Sequence, residues 1–487
     1  MENETKEIWK STALGILAVV ALVCWLKFQP RVPTMQPREK IGKPLFSSFN
    51  DPNQMTRIEF ERIDPRTGNL QSLVLSRSGN AWLLPTMNNF PAENSDRISK
   101  IIAPLMQLSI LDASDNTLDS GDPTKTDRFH RACGLLNPKN FDPAFEGLPS
   151  SSKENSEGVN LAQGSALVVK IEGEGGESLV DLLIGNRVPE SSATRDARFV
   201  RFADEDVVYT VDFSGDSTQE DGTTEFTEFP ERVSFEPLDW IDKDLLRISR
   251  WDALYLTVRD YAFSLDKTDD GIEQAKVQQN GIAIFKQTPE NSISRVWSLQ
   301  RLLKRSSEES WINQTPISPE WAQNEALNDL ADAIGALGIV GAIRKSEGAA
   351  NCFRSLKFGV ELTRQSESLA EFGFGFFDSD PLNPQNINPL LVGEGGAIEL
   401  NLKSGVKIVL IFGKKIDDKR ACLVYSFFDR KALEESLDDE AEVEFQTPES
   451  QQKAELKNAR FADWYYFVSE EDYQRLHFRL SEIVKQP

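Results

Sequence analysis

The sequence predicts an α+β protein: an N-terminal single transmembrane helix followed by two tandem, similarly built domains, each an antiparallel sheet with a helix. Three observations predict it. The stretch Ser11 to Leu26, STALGILAVVALVCWL, carries no charge and is followed by a long, charged, mixed-composition chain. Short runs of alternating apolar and polar residues recur on either side of two amphipathic helical stretches. The order of these elements is the same in the two halves. The resulting organisation is a short flank at 1–10, an anchor at 11–28, an extended linker at 29–53, a first domain at 54–250 and a second at 251–487, with an acidic insertion at about 430–458.

The anchor comes first. Its uncharged residues would extend roughly 24 Å as a helix, and Ile8, Trp9 and Phe28 lengthen this toward the roughly 30 Å of a hydrocarbon core. Leu14, Ile16, Leu17, Val19, Val20, Leu22, Val23 and Leu26 together supply roughly −2 to −5 kcal/mol of insertion energy. A cleaved signal would end at small residues, whereas Trp25, Leu26, Lys27 and Phe28 follow here. A lipoprotein signal at Cys24 would need a small residue where Val23 stands. Lys6 and Lys10 precede the segment, and Lys27, Arg31, Arg38 and Lys40 follow it, so charge counting alone would put the large part in the cytoplasm. That rule weakens for long domains, and the side stays open. Pro30, Pro33, Pro37 and Pro44 hold the linker extended.

In the first half, a strand at Met55 to Ile63 leads through Asp64-Pro65-Arg66-Thr67-Gly68 to strands at Leu70 to Ser76 and Ala81 to Leu84. In the second half, Ala253 to Val258 opens a meander that reaches Arg295 to Leu299. A helix follows in each: Ile98, Ile101, Ile102, Leu105 and Leu108 in one, Leu327, Leu330, Ala331, Ile334 and Leu337 in the other. Asn94 or Ser95 can cap the first of these, and Pro104 should bend it. A strand pair with a Gly turn comes next: Ala166 to Ile171 with Leu179 to Ile184, and Ala397 to Leu402 with Val406 to Phe412. Gly185 and Gly413 close the two pairs. Phe202-Ala203-Asp204 and Phe461-Ala462-Asp463 then lead into strands at Val207 to Val211 and Trp464 to Val468.

The segment Phe235 to Leu246 is expected to be the hinge between halves. Polar tracts at 113 to 126, 149 to 164, 213 to 226 and 266 to 280 read as surface loops, and Lys431 to Asn458 as a solvated acidic helix or loop.

Composition limits the chemistry. A net charge of −23 over 487 residues, with no Lys/Arg cluster interleaved with aromatics, argues against nucleic acid as a partner. Outside the anchor there are three cysteines, Cys133, Cys352 and Cys422, far apart and with no C-x-x-C, which argues for buried free thiols and against a zinc site. His130 and His477 are the two histidines, and neither has a ligand or triad partner at useful spacing. Gly173-Glu174-Gly175-Gly176 and Gly393-Glu394-Gly395-Gly396 lack the following Gly-Lys-Ser/Thr of a phosphate loop and read as turns. Gly335, Gly338 and Gly341 read as a helix C-cap with tight packing. Trp311, Trp321 and Trp464 suit either a sugar- or protein-binding surface or the core. Phe372, Phe374 and Phe376, alternating with Gly373 and Gly375, form one strand face. No catalytic, cofactor-binding or metal-binding residue emerges, and no cofactor is expected.

Asn80-Ala81-Trp82-Leu83-Leu84-Pro85, Asp181-Leu182-Leu183-Ile184-Gly185-Asn186, Arg198-Phe199-Val200-Arg201, Val208-Tyr209 and Asp239 to Leu246 together resemble the domain of unknown function 4340 family. The resemblance covers mainly residues 55 to 250, with a weaker echo from 251 to 480. Its members are bacterial membrane-anchored proteins, some similar to auxiliary components of gliding-type ABC transporters. The resemblance implies an inner-membrane protein with its soluble part outside the cytoplasm, and it supplies no active residue. The function expected is therefore a non-enzymatic scaffold or accessory subunit of an envelope complex, with protein partners in the membrane. The alternative is an extracytoplasmic hydrolase or glycan-binding protein built on a carboxylate pair and an aromatic platform.

Overall fold

The computed structural model of the chain describes residues 37–93, 95–114, 123–141, 160–189, 196–214, 227–267, 273–289, 295–305, 311–314, 321–377, 380–382, 385, 389–437, 439–476 and 479–485. The expected anchor at 11–28 lies outside the described residues. Among the described residues, no helix is long and apolar enough to cross a membrane.

The architecture is α+β, with two large antiparallel sheets. The first contains β1 (Arg57–Ile63), β2 (Leu70–Ser78), β3 (Ala81–Leu84), β4 (Phe90–Ala92), β5 (Ile110–Ser114), β6 (Leu167–Glu172), β7 (Ser178–Arg187), β8 (Ala197–Phe202) and β9 (Val208–Asp212), in the order β4-β3-β2-β1-β6-β7-β8-β9-β5. The second contains β10 (Ala253–Lys267), β11 (Glu273–Pro289), β12 (Arg295–Arg305), β13 (Trp311–Asn313), β14 (Gly341–Arg344), β17 (Ala397–Leu402), β18 (Val406–Ile416), β19 (Lys419–Phe428) and β20 (Trp464–Ser469). Its order is β13-β12-β11-β10-β17-β18-β19-β20-β14, the same path as the first. A small third sheet pairs β15 (Phe374–Phe377) with β16 (Leu390–Gly393). The chain divides into two compact units: one takes the residues up to Ser72 with Ser99–Val233, the other Leu73–Ile98 with Ser234–Pro487.

In the first unit, the register sets Ile58 opposite Ile171 and Phe60 opposite Val169, giving one apolar face from residues spaced two apart. The part of the helix Ser95–Met106 that belongs to this unit, from Ser99 on, buries Ile101, Ile102 and Leu105 and contains Pro104. On the opposite face, Val168 and Leu183 pack with Cys133, Leu135, Ala166 and Val208, beside Phe129 of the helix Pro123–Ala132.

In the second unit, all six residues of β17 are buried, because both faces are covered. Phe353, Leu362, Leu369, Phe372 and Phe374 pack with Val409, Ile411, Leu423 and Tyr465 in one cluster. The acidic insertion forms the helices Arg430–Ser436 and Glu440–Ala462. The longer one lies on β19, where Ser426 Oγ donates to Ala454 O at 3.0 Å and Ser426 N–H to Asn458 Oδ1 at 3.2 Å. The hairpin at 81–92 belongs to this unit, and Phe90 meets Trp464 edge-on with ring centres 4.8 Å apart.

Two backbone devices occur in both units. A short extended segment borders the strand that ends each sheet: Leu45 N–H donates to Leu108 O at 2.8 Å and Ile110 N–H to Lys43 O at 3.0 Å. Correspondingly, Leu245 N–H donates to Leu337 O at 3.0 Å and Ile339 N–H to Lys243 O at 2.8 Å. The second device explains Gly185 and Gly413. A Cβ at Gly185 would sit 2.2 Å from Cys133 O, and one at Gly413 2.1 Å from Phe372 O. Those same carbonyls accept from the next N–H, Asn186 at 2.8 Å and Lys414 at 3.0 Å, so only glycine lets the covering loop come that close.

Several expectations change. The stretch 273–280, read as loop, is strand: β11 begins at Glu273, and its polar residues pair with β10 from Lys267↔Glu273 to Asp260↔Gly281. Residues 123–126 open a helix. Phe235 to Leu246 is packed into the second unit, with Trp240, Leu245 and Leu246 buried and Trp240 Nε1 donating to Ser234 O at 2.9 Å. The C-cap of the helix Asn324–Gly335 is Ala336, and Gly338 pairs with Asp244.

Candidate functional site

A network of buried ionisable groups lies on one face of the second sheet. β10 contributes Arg259, β17 contributes Glu399 and β18 contributes Lys407; the residue alternation that makes β17 read A-I-E-L-N-L turns Glu399 and Asn401 to the same side. Arg259 is held by Glu399 through Nε and by Asp380 through both terminal nitrogens, at 2.9 and 3.2 Å. Lys407 Nζ lies 2.6 Å from the second Glu399 oxygen. Burial by itself would push the Glu399 carboxyl up, but Arg259 and Lys407 outweigh it and hold it down at about 2. Burial likewise acts to lower Arg259, and Glu399 and Asp380 reverse the sign, so its guanidinium is held above its ordinary value. The cluster is a closed, internally neutralised network, with each acid facing a cation.

Beside it, Asp260, Tyr261, Trp311, Phe377 and Leu390 line a recess with about 10 Å³ of free space, enough for a water-sized body and far below the size of a small-molecule site. Asp260 is committed to the fold: its carboxylate accepts from Asn280 Nδ2 at 2.8 Å and from Leu480 N–H at 3.1 Å. A larger depression of about 320 Å³, lined by Asn351, Ser355, Lys357, Glu361, Arg364 and Gln365, is open and carries both signs of charge.

A second buried cation caps a helix. Lys345 Nζ donates to the carbonyls of Phe461 at 3.2 Å, Ala462 at 2.9 Å and Trp464 at 2.6 Å, and lies 4.3 Å from the centre of the Phe353 ring. Burial drives its pKa well below the ordinary lysine value, against the pull of Asp463. Three carbonyl acceptors at a helix C-terminus match the three donors of an ammonium group, which identifies this lysine as a structural cap.

The first sheet carries a looser arrangement. Glu61 is 2 % exposed, with Lys139 Nζ at 2.7 Å and Lys170 Nζ at 3.7 Å. Among the described residues, Glu61 Oε2, Asp181 Oδ1 and Arg201 Nε have no hydrogen-bond partner. Burial raises the Asp181 carboxyl above its ordinary value, with Lys170 opposing.

The residues singled out from the sequence have structural surroundings here. His130 is buried, with Nε2 2.9 Å from Asp206 O; His477 lies outside the described residues. Cys133, Cys352 and Cys422 are buried free thiols, and burial raises all three, Cys133 to about 11. Trp464 is buried, while Trp311 and Trp321 are half-buried. The N–H groups of Glu394, Gly395 and Gly396 are spent on Gly373, Phe412 and Gly393 carbonyls, so the second Gly-rich turn has none to offer a phosphate. Phe372 and Phe374 stack on Tyr465 at 4.5 and 6.1 Å. Among the described residues, no group of three His, Cys, Asp or Glu could hold a metal ion. Sequence reading missed the Arg259 network; the signal available was a Glu and an Asn at alternate positions of a strand whose other residues are apolar.

Comparison of the chain with protein-family models, with curated proteins and with solved structures yields no match.

Proposed function

We propose that the chain is a non-enzymatic, single-pass membrane protein of the bacterial inner membrane, with residues 11–28 as its anchor and its sheet-and-helix units outside the cytoplasm as a scaffold or accessory subunit of an envelope complex. An ABC-type transporter is the candidate assembly, on the family resemblance. The observation that carries the reading is the uncharged run Ser11 to Leu26, which has the length and apolarity to hold one span. The charge clusters support the non-catalytic part: Arg259, Asp380, Glu399, Lys407 and Lys345 spend polar atoms on one another or on backbone, which suits holding a shape and leaves little for a substrate. The two similarly ordered sheets suit a tandem repeat that offers two surfaces of one kind.

The test is fractionation of the full-length chain. It should stay in the membrane pellet through alkaline carbonate and leave it only with detergent, whereas a chain starting at Gln29 should be released. Capture in mild detergent should then recover membrane partners in stoichiometric amount. Full-length chain in the soluble fraction, or its recovery alone under gentle conditions, overturns the proposal.

A further inference from the structure

The chain enters the first unit along the border of its sheet. Leu45, Phe46 and Phe49 are buried, and Phe46 meets Phe49 and Phe202 edge-on with ring centres 6.3 and 5.8 Å apart. Gly42 N–H donates to Ile110 O at 2.8 Å, and Lys40 Nζ donates to the Tyr209 hydroxyl at 2.8 Å while lying 3.5 Å from Glu205. With the hydrogen bonds of Lys43 and Leu45 to Ile110 and Leu108, these contacts make residues 40–49 part of the fold. Phe28, the last residue of the proposed anchor, stands nine positions before Pro37, where the described chain begins. Nine residues reach at most roughly 32 Å in any conformation. The length of the chain therefore ties this border of the first unit close to the bilayer.

The same border is where the unit shows apolar surface. Among the described residues of the first unit, three large apolar side chains are exposed: Ile41, Leu70 and Leu111. Ile41 and Leu111 are the chain neighbours of Gly42 and Ile110, whose backbones are hydrogen-bonded, so two of the three adjoin one another. Around them Arg38 and Lys43 offset Glu39 and Asp112, all four exposed. In a chain of net charge −23 that local balance lessens the repulsion lipid phosphates would otherwise meet. Aliphatic side chains with Arg and Lys beside them suit the depth of the headgroups, where the long stems lie on apolar surface and the charges stay in water. Resting on the membrane anchor proposed above, we propose that the face carrying Ile41 and Leu111 lies in the headgroup layer of the membrane that holds the chain.

The experiment uses the full-length chain in phosphatidylcholine vesicles, in a Cys24→Ser background whose other thiols, Cys133, Cys352 and Cys422, are buried. A fluorophore is placed at Ser109→Cys, two residues before Leu111, or at Thr67→Cys, in the turn between β1 and β2; both positions are exposed. β1 stands five strands from β5 in the sheet, roughly 24 Å across, so lipid bearing a nitroxide headgroup should quench the label at 109 at least about threefold more strongly than the label at 67. Ile41→Glu combined with Leu111→Glu should remove most of that difference, with the thermal midpoint in detergent as the check on folding, and the milder Ile41→Ser with Leu111→Ser should move it the same way. Retention in the membrane pellet with equal quenching at the two positions, or quenching indifferent to both pairs of changes, overturns the placement and leaves the anchor standing. Loss of the full-length chain from the pellet overturns the anchor and the placement together.

Discussion

The two large sheets follow one strand order, and two of their charged clusters are satisfied to different degrees. On the second, Arg259, Glu399, Lys407 and Asp380 close into a network with charges matched. On the first, among the described residues, Glu61, Asp181 and Arg201 each leave a buried polar atom without a hydrogen bond, although Arg198 of the same sheet is matched by Asp196 and Glu228. The connections differ as well: residues 203–207 join β8 to β9, whereas 429–463, with two helices, join β19 to β20. The added helix covers β19 and makes that region of the sheet interior on both faces. Once a strand is buried on both sides, a charged residue on it must be matched completely, because the cost of an unpaired ion rises as water is removed.

The comparison breaks most sharply at Arg259. Arg259→Met strips Glu399 and Asp380 of their shared cation, and denaturant unfolding of the second unit should show a loss of about 3–5 kcal/mol. Acid probes the same network. The Glu399 carboxyl is held at about 2 against an ordinary 4.5, so its contribution is fully present above about pH 4.5 and is lost as pH falls through about 2. That interval corresponds to about 3 kcal/mol, and Glu399→Gln should flatten the acid limb of stability against pH. Lys345→Met leaves three carbonyls without a donor at the end of the helix Glu440–Ala462; a loss of about 2 kcal/mol, with faster hydrogen exchange confined to the residues around Phe461, is expected. The smallest effect has the opposite sign. Burial raises the Asp181 carboxyl, so its ionised form disfavours the fold at neutral pH, and Asp181→Asn should raise stability slightly at pH 7, with the gain fading as pH drops and the native carboxyl protonates. Equal signs for the Arg259 and Asp181 variants would erase the distinction between the two clusters.

Much of the first sheet was legible because its signals are local. Ala81–Leu84 is a strand as expected, the turn at 64–69 closes through Gly68 N–H to Asp64 O at 2.8 Å, and the apolar spacing of Ile98, Ile101, Ile102 and Leu105 marks the buried side of its helix. The polar strand at 273–280 was not legible, since what makes it a strand is the backbone of β10 alongside it. Nor were the border segments at 43–45 and 243–245, whose hydrogen bonds run from main chain to main chain over long separations and leave no side-chain pattern.

The sequence by itself determined which residues turn inward along the helices and strands it marked, where the glycine turns fall, and the order of elements shared by the two halves, because alternation and turn chemistry are properties of neighbours along the chain. The tertiary structure decided which charges would be enclosed. Arg259, Asp380, Glu399 and Lys407 are as far as 148 positions apart in sequence (259 to 407), and their ionisation is set by the water that folding removes from around them together with the partners it brings there.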